Sequence, residues 1–82
     1  GGQRAVVDAG GALHVFAVDA RRRLVENVRE GSRFSGWRVI SASPSLRGFP
    51  AAIRAPSGDL YVAVRGSDDR VHVFRRSGGA WA

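Results

Sequence analysis

The sequence predicts an all-β chain: two four-stranded antiparallel propeller blades, with the last outer strand cut short. Three observations carry this reading. The text repeats with a shift of 47 residues, the spacing from Leu13 to Leu60, which lays Ala5 on Ala52, Val6 on Ile53, Gly11 on Gly58, Val15 on Val62, Arg23 on Arg70, Leu24 on Val71 and Gly31 on Gly78. Within each copy, short runs rich in β-branched and aromatic residues are bounded by glycine, aspartate, serine and proline, as strands between tight turns are. A period of about 40–50 residues with several strands per unit is that of a propeller blade. The units are expected at 1–48, which includes a linker, and at 49–82.

The first strand of the first copy is the Ala5-Val6-Val7 run, closed by Asp8, Gly10 and Gly11, whose glycines allow the positive φ of a hairpin turn. Its counterpart is Ala51-Ala52-Ile53, closed by Pro56, Ser57 and Gly58. The second strands, Leu13 to Val18 and Leu60 to Arg65, are apolar on both alternating faces, so each is expected to be covered on both sides. Polar turns follow at 19–23 and 66–70, then third strands from Leu24 to Arg29 and from Val71 to Arg76. Glu26, Asn27, Arg29, Arg75 and Arg76 bring charge or amide groups into these, so burial is expected to fall from the first strand to the third. A fourth strand is expected from Gly36 to Ser41. In the second copy it begins at Gly79-Ala80-Trp81, leaving the edge of the third strand unpaired. Matching Trp37 to Trp81 implies about three extra residues in the first copy's last loop. The stretch from Ser43 to Phe49, with proline, glycine and serine, reads as the connection between copies.

A single core in 82 residues is marginal unless stapled. The chain has no cysteine for a disulfide and no Cys/His pattern for a structural metal, so the remaining staple is association. Two blades do not close a ring, and copies of the chain are the expected partner: a homotrimer of six blades, associating head to tail. The start Gly1-Gly2-Gln3, in a chain without methionine, reads as processed or excised from something longer. Nothing resembles a signal peptide and no apolar run approaches the ~18 residues of a membrane span, so a soluble chain is expected, with secretion compatible but not required. All 13 basic residues are arginine, and the net charge of +6 favours acidic partners such as polyanionic glycans, although a solvated surface explains it more economically. Nucleic acid is disfavoured because the arginines are scattered over turns and both copies, without interleaved aromatic residues on one face.

With the repeat laid out, Pro50-Ala51-Ala52-Ile53, Gly11-Ala12-Leu13-His14-Val15-Phe16, Gly66-Ser67-Asp68, Val71-His72-Val73 and Phe34-Ser35-Gly36-Trp37 together resemble the units of the bacterial PLL-like β-propeller lectins. The resemblance covers nearly the whole chain. It implies a ring that binds fucosylated or related sugars in pockets between adjacent blades. Where the family carries Leu-Trp-His, this chain has Leu24-Val25-Glu26 and Val71-His72-Val73, so neither copy has that tryptophan.

The candidate ligand-binding residues are Trp37, Trp81, Tyr61, His14, His72 and Arg54. Trp37 and Trp81 either pack one blade on the next or present an aromatic face to a sugar. Tyr61 falls where His14 lies in the first copy, and each either lines a pocket between blades or is satisfied within the interface. His72 has no second metal ligand at useful spacing. Asp68 and Asp69 read as turn caps rather than an acid and base pair, and Arg21-Arg22-Arg23 as a solvated turn, since the second copy has aspartates there. No phosphate loop, nucleophile elbow or metal-ligand cluster is present in the sequence. The expected function is therefore non-enzymatic carbohydrate binding by an oligomeric propeller, without metal or cofactor. The competing expectation is a structural, self-assembling propeller fragment that binds no sugar.

Overall fold

The computed structural model describes residues 4–82, so the first three residues of the expected first unit lie outside the described residues. The chain is all-β, in two antiparallel sheets. The first contains β1 (Ala5–Val7), β2 (Leu13–Val18), β3 (Leu24–Glu30) and β4 (Arg33–Phe34) in that order, with β5 (Arg38–Ser41) also paired to β3. The second contains β6 (Leu46–Arg54), β7 (Leu60–Gly66), β8 (Val71–Ser77) and β9 (Ala80–Trp81) in that order. No helix among the described residues is long and apolar enough to cross a membrane.

The 47-residue repeat is written into the backbone as well as the text. Asp8 N–H donates to Ala12 O and Ala55 N–H to Asp59 O, each at 2.8 Å, and Gly11 and Gly58 both have a φ of 93° in these turns. A side chain would strain that conformation, so glycine at these two positions is a requirement of the turn. Arg22 and Asp69, also 47 apart, close the next hairpins with φ of 63° and 65°. These are left-handed values that cost a non-glycine residue some stability.

The outer strands correct one expectation. Phe34 pairs with Arg29 and Arg33 with Glu30, while Trp81 pairs with Arg76 and Ala80 with Ser77. The register therefore keeps the shift of 47 with no insertion: the counterpart of Trp81 is Phe34, and Trp37 comes after the shared part. In the first copy the fourth strand is broken into β4 and β5. Between them Ser35 N–H donates to Val28 O (2.8 Å), Val28 N–H to Ser35 Oγ (3.1 Å) and Gly36 N–H to Asn27 Oδ1 (3.1 Å). Side-chain oxygens thus replace ladder bonds where residues 35–37 bow out, which satisfies backbone groups that a break would leave unpaired.

The connection is also shorter than expected, because β6 begins at Leu46, inside the stretch read as a linker. Leu46 pairs with Gly66 and Arg47 with Arg65, a register shift precedes Ala51, and Leu46 N–H donates to Arg22 O at 3.0 Å. This segment is a strand because tertiary neighbours offer it a ladder, not because its residues favour one.

The sheets pack face to face. From the first come Val6, Phe16, Val18, Leu24 and Ile40; from the second, Leu46, Ala52, Val62, Val64, Phe74 and Trp81. Phe16 and the Trp81 indole meet edge to face, with centroids 5.5 Å apart at 86°. Fully burying a Leu, Val or Phe side chain contributes about 1.5–3 kcal/mol, so a handful of such residues is most of what this core supplies. The expected decline in burial holds from β7 to β8 but fails in the first sheet, where Leu24, Val25 and Glu26 at the start of β3 are all buried. The expected double covering of the second strands is half present: His14 and Phe16 on β2, and Leu60, Val62 and Val64 on β7, are buried, while the opposite faces are partly exposed.

Candidate functional site

The two facing surfaces are not equivalent under the repeat. Phe16 and Leu24 on the first sheet correspond to Ala63 and Val71, which lie on the far side of the second sheet. At the seam, the first sheet presents a buried polar cluster that the second copy lacks. The Asp8 turn, β2 and β3 bring Asp8, His14 and Glu26 together; the corresponding residues in the second copy are Ala55, Tyr61 and Val73.

His14 is 1% exposed, and each ring nitrogen meets a carboxylate: Nδ1 lies 2.8 Å from Glu26 Oε2 and Nε2 lies 2.8 Å from Asp8 Oδ2. Both ring nitrogens are thus engaged by carboxylate oxygens, one from the Asp8 turn and one from β3. Asp8 is fixed from the other side, where Oδ1 accepts from Gly10 N–H (2.9 Å) and Ala12 N–H (3.0 Å). The His14 hydrogen bond, aided by these backbone donors and opposed by burial, holds the Asp8 carboxyl below the ordinary aspartate range. Glu26 is buried like His14, and its second oxygen, Oε1, faces the other sheet. Trp81 Nε1–H donates to it at 3.4 Å and the Arg38 guanidinium stands 3.8 Å away. Both separations exceed those of a strong charge-assisted bond, so Oε1 keeps capacity for another donor.

Above Glu26 Oε1 the sheets part into a cleft of about 240 Å³, lined by Glu26, Arg38, Val39 and Ile40 from the first and by Arg76, Gly79 and Trp81 from the second. This is smaller than the roughly 300–1,000 Å³ of drug-sized pockets and suits a ligand about the size of one ring. It combines an aromatic side chain, a carboxylate oxygen, two guanidinium groups and an apolar edge. Larger hollows lie beside Asp8 and Glu30 (about 410 Å³) and beside Ala9, Arg54 and Pro56 (about 460 Å³), but neither brings an aromatic ring to its wall. We therefore take the cleft over Glu26 as the candidate site. No protein-family model and no curated protein matches the chain.

Of the six residues singled out from the sequence, the cleft gathers one, Trp81. His14 stands behind the floor, sealed from any ligand, and acts on the site only through Glu26. Trp37 is exposed in the bowed segment between β4 and β5 and does not line the cleft. Tyr61 lies on the opposite face of the second sheet, beside Arg75. His72 Nε2 sits 3.1 Å from both carboxylate oxygens of Asp68, whose Oδ1 also accepts from Arg70 N–H, so His72 belongs to the turn that Asp68 caps. Arg54 Nη1 donates to Val7 O (3.3 Å) and Asp8 O (3.1 Å), tying the second sheet to the first hairpin. Glu26, Arg38 and Arg76 were missed. Glu26 left a legible trace, since Asp8, His14 and Glu26 are polar where the second copy has Ala55, Tyr61 and Val73. Arg38 and Arg76 left none, because nothing in one strand's text says which strand will face it.

Proposed function

We propose that the chain is a non-enzymatic carbohydrate-binding module. Its two sheets act as adjacent blades of a β-propeller that copies of the chain complete, three chains giving six blades, and a sugar binds in the cleft between blades. The observation that carries the assembly is a pair of equivalent positions. Leu24 is 0% exposed because the second sheet covers it, whereas its counterpart Val71 is 64% exposed. Ile53 and Val73, on the same outer face, are similarly open. A surface that is core in one repeat and bare in the next is what head-to-tail stacking leaves at the end of each chain, and a heterologous contact of this kind forms a ring when the rotation closes.

The sugar reading rests on the chemistry of the cleft. An aromatic face covers the apolar side of a pyranose, and convergent polar groups fix its hydroxyls. Trp81 supplies the first, and Glu26 Oε1 with the two arginines supplies the second.

Light scattering after size exclusion tests the assembly. The expected particle is a closed multiple of the 8.8 kDa chain, and Val71→Arg should shift it to smaller species with lower stability. A folded, monodisperse monomer at micromolar concentration is incompatible with the proposal. A glycan array on the intact particle tests the ligand; a ring that binds no glycan leaves the structural, self-assembling reading in its place.

A further inference from the structure

We infer that the cleft over Glu26 selects a sugar carrying a negative charge, a carboxylate or a sulfate ester, with Arg38 and Arg76 closing on that group from the two sheets. This rests on the carbohydrate reading above and narrows it to a class of ligand.

The inference comes from how the arginines are engaged. Several others have close partners: Arg23 meets Asp19 at 2.8 Å, Arg75 meets Asp59 at 2.7 Å, and Arg47 meets Asp69. The two that line the cleft do not, and unlike Arg21, Arg22, Arg33, Arg65 and Arg70, which also lack a salt bridge among the described residues, they stand together in one cleft beside an aromatic ring. Arg38 reaches Glu26 only at 3.8 Å, and Arg76 makes no salt bridge among the described residues. The repeat sharpens the contrast for Arg76. Its counterpart Arg29 donates from Nε to Gly31 O at 2.7 Å and lies over the Phe34 ring, whereas Arg76 lines open space beside Trp81, the counterpart of Phe34.

Glu26 at the floor offsets part of this positive charge, but two guanidinium groups face its one carboxylate. Glu26 is already held from behind by His14 through Oε2. Its free capacity lies on Oε1, which can accept a hydroxyl of a sugar lying on Trp81, so the ligand's anionic group belongs on the side of the ring away from Glu26, toward the guanidinium groups. Guanidinium forks match the paired oxygens of a carboxylate or sulfate in a way that a point charge does not. Arg38 comes from the first sheet and Arg76 from the second, so one anion between them would also clamp the sheets together.

The test is calorimetric titration of the assembled protein with methyl glucosides and methyl galactosides, each as the uronate, the 6-sulfate and the neutral parent. At least one charged form should bind about tenfold or more tightly than its neutral parent, as charge-assisted contacts allow. Arg38→Gln with Arg76→Gln should erase that preference, lowering the charged form's affinity far more than the neutral parent's. Both side chains are at least partly solvent-exposed, so the double variant is expected to fold. The uronate and sulfate arms decide which anion is meant. Equal binding of charged and neutral forms overturns the inference and leaves the carbohydrate reading standing. A preference that survives in the double variant overturns the inference as well. Absence of binding by every sugar, with the protein folded and assembled, overturns both.

Discussion

Replacing Glu26 with valine, the residue of the second copy, tests the buried cluster directly. The change leaves His14 Nδ1 and Trp81 Nε1–H facing an apolar side chain in a place where His14 is almost wholly shielded from water. Removing one member of a buried ion pair costs about 3–5 kcal/mol. Leaving one buried polar group unsatisfied costs roughly 1–3 kcal/mol. The two ranges meet at about 3 kcal/mol, which for a domain of this size lowers Tm by roughly 12–24 °C. The triple change Asp8→Ala, His14→Tyr and Glu26→Val writes the whole second-copy set into the first. Because no buried charge is left stranded, it is expected to lose less than Glu26→Val alone, although Trp81 Nε1–H still lacks its acceptor. Urea unfolding followed by tryptophan fluorescence, at one fixed chain concentration, reads both. A single variant that loses less than about 1 kcal/mol, or a triple variant as unstable as the sum of its singles, refutes the view that the cluster is one coupled unit.

Asp8 titrates below the ordinary aspartate range in the folded chain, chiefly through its bond from His14, so its contribution is present above the unfolded value and lost as pH falls through the folded one. Stability should therefore drop with acid below about pH 4, and Asp8→Asn should flatten that limb of the profile. Under the proposed ring, the cleft between chains would use Val73 from one copy with Arg29 and Phe34 from the next, with no carboxylate, so calorimetry should find one sugar per chain rather than one per blade. Arg22 holds a φ of 63°, and Arg22→Gly should raise stability by up to about 1 kcal/mol in the same urea assay, a gain that Arg21→Gly should not give.

The text announced the all-β class and its hairpins because those signals are local: turn glycines at 11 and 58, and runs such as Leu13 to Val18, specify hairpins wherever they occur. What it withheld depends on register and on facing surfaces. Pairing Trp37 with Trp81 followed residue type, but hydrogen-bond ladders count residues, and the count puts Phe34 opposite Arg29 as Trp81 is opposite Arg76. Glu26 read as water-seeking because a lone carboxylate in a strand usually is. Its burial depends on His14 in the neighbouring strand and on Trp81, 55 residues away, contacts that alternation in one strand does not encode.

At the seam the first copy has Asp8, His14 and Glu26 where the second has Ala55, Tyr61 and Val73. If stacking alone were required, the uncharged set Ala55, Tyr61 and Val73 would serve in both, and a trio of ionisable groups with His14 and Glu26 buried is not a cheaper way to hold two sheets together. What the trio provides is a carboxylate oxygen held at the N–H edge of Trp81, with His14 and Asp8 supporting it and two arginines lining the cleft. Preorganisation of this kind lowers the ordering cost of binding a small polar ligand. By this argument the departure from the repeat follows the site rather than the fold. Under the proposed function, the triple variant should fold and no longer bind sugar.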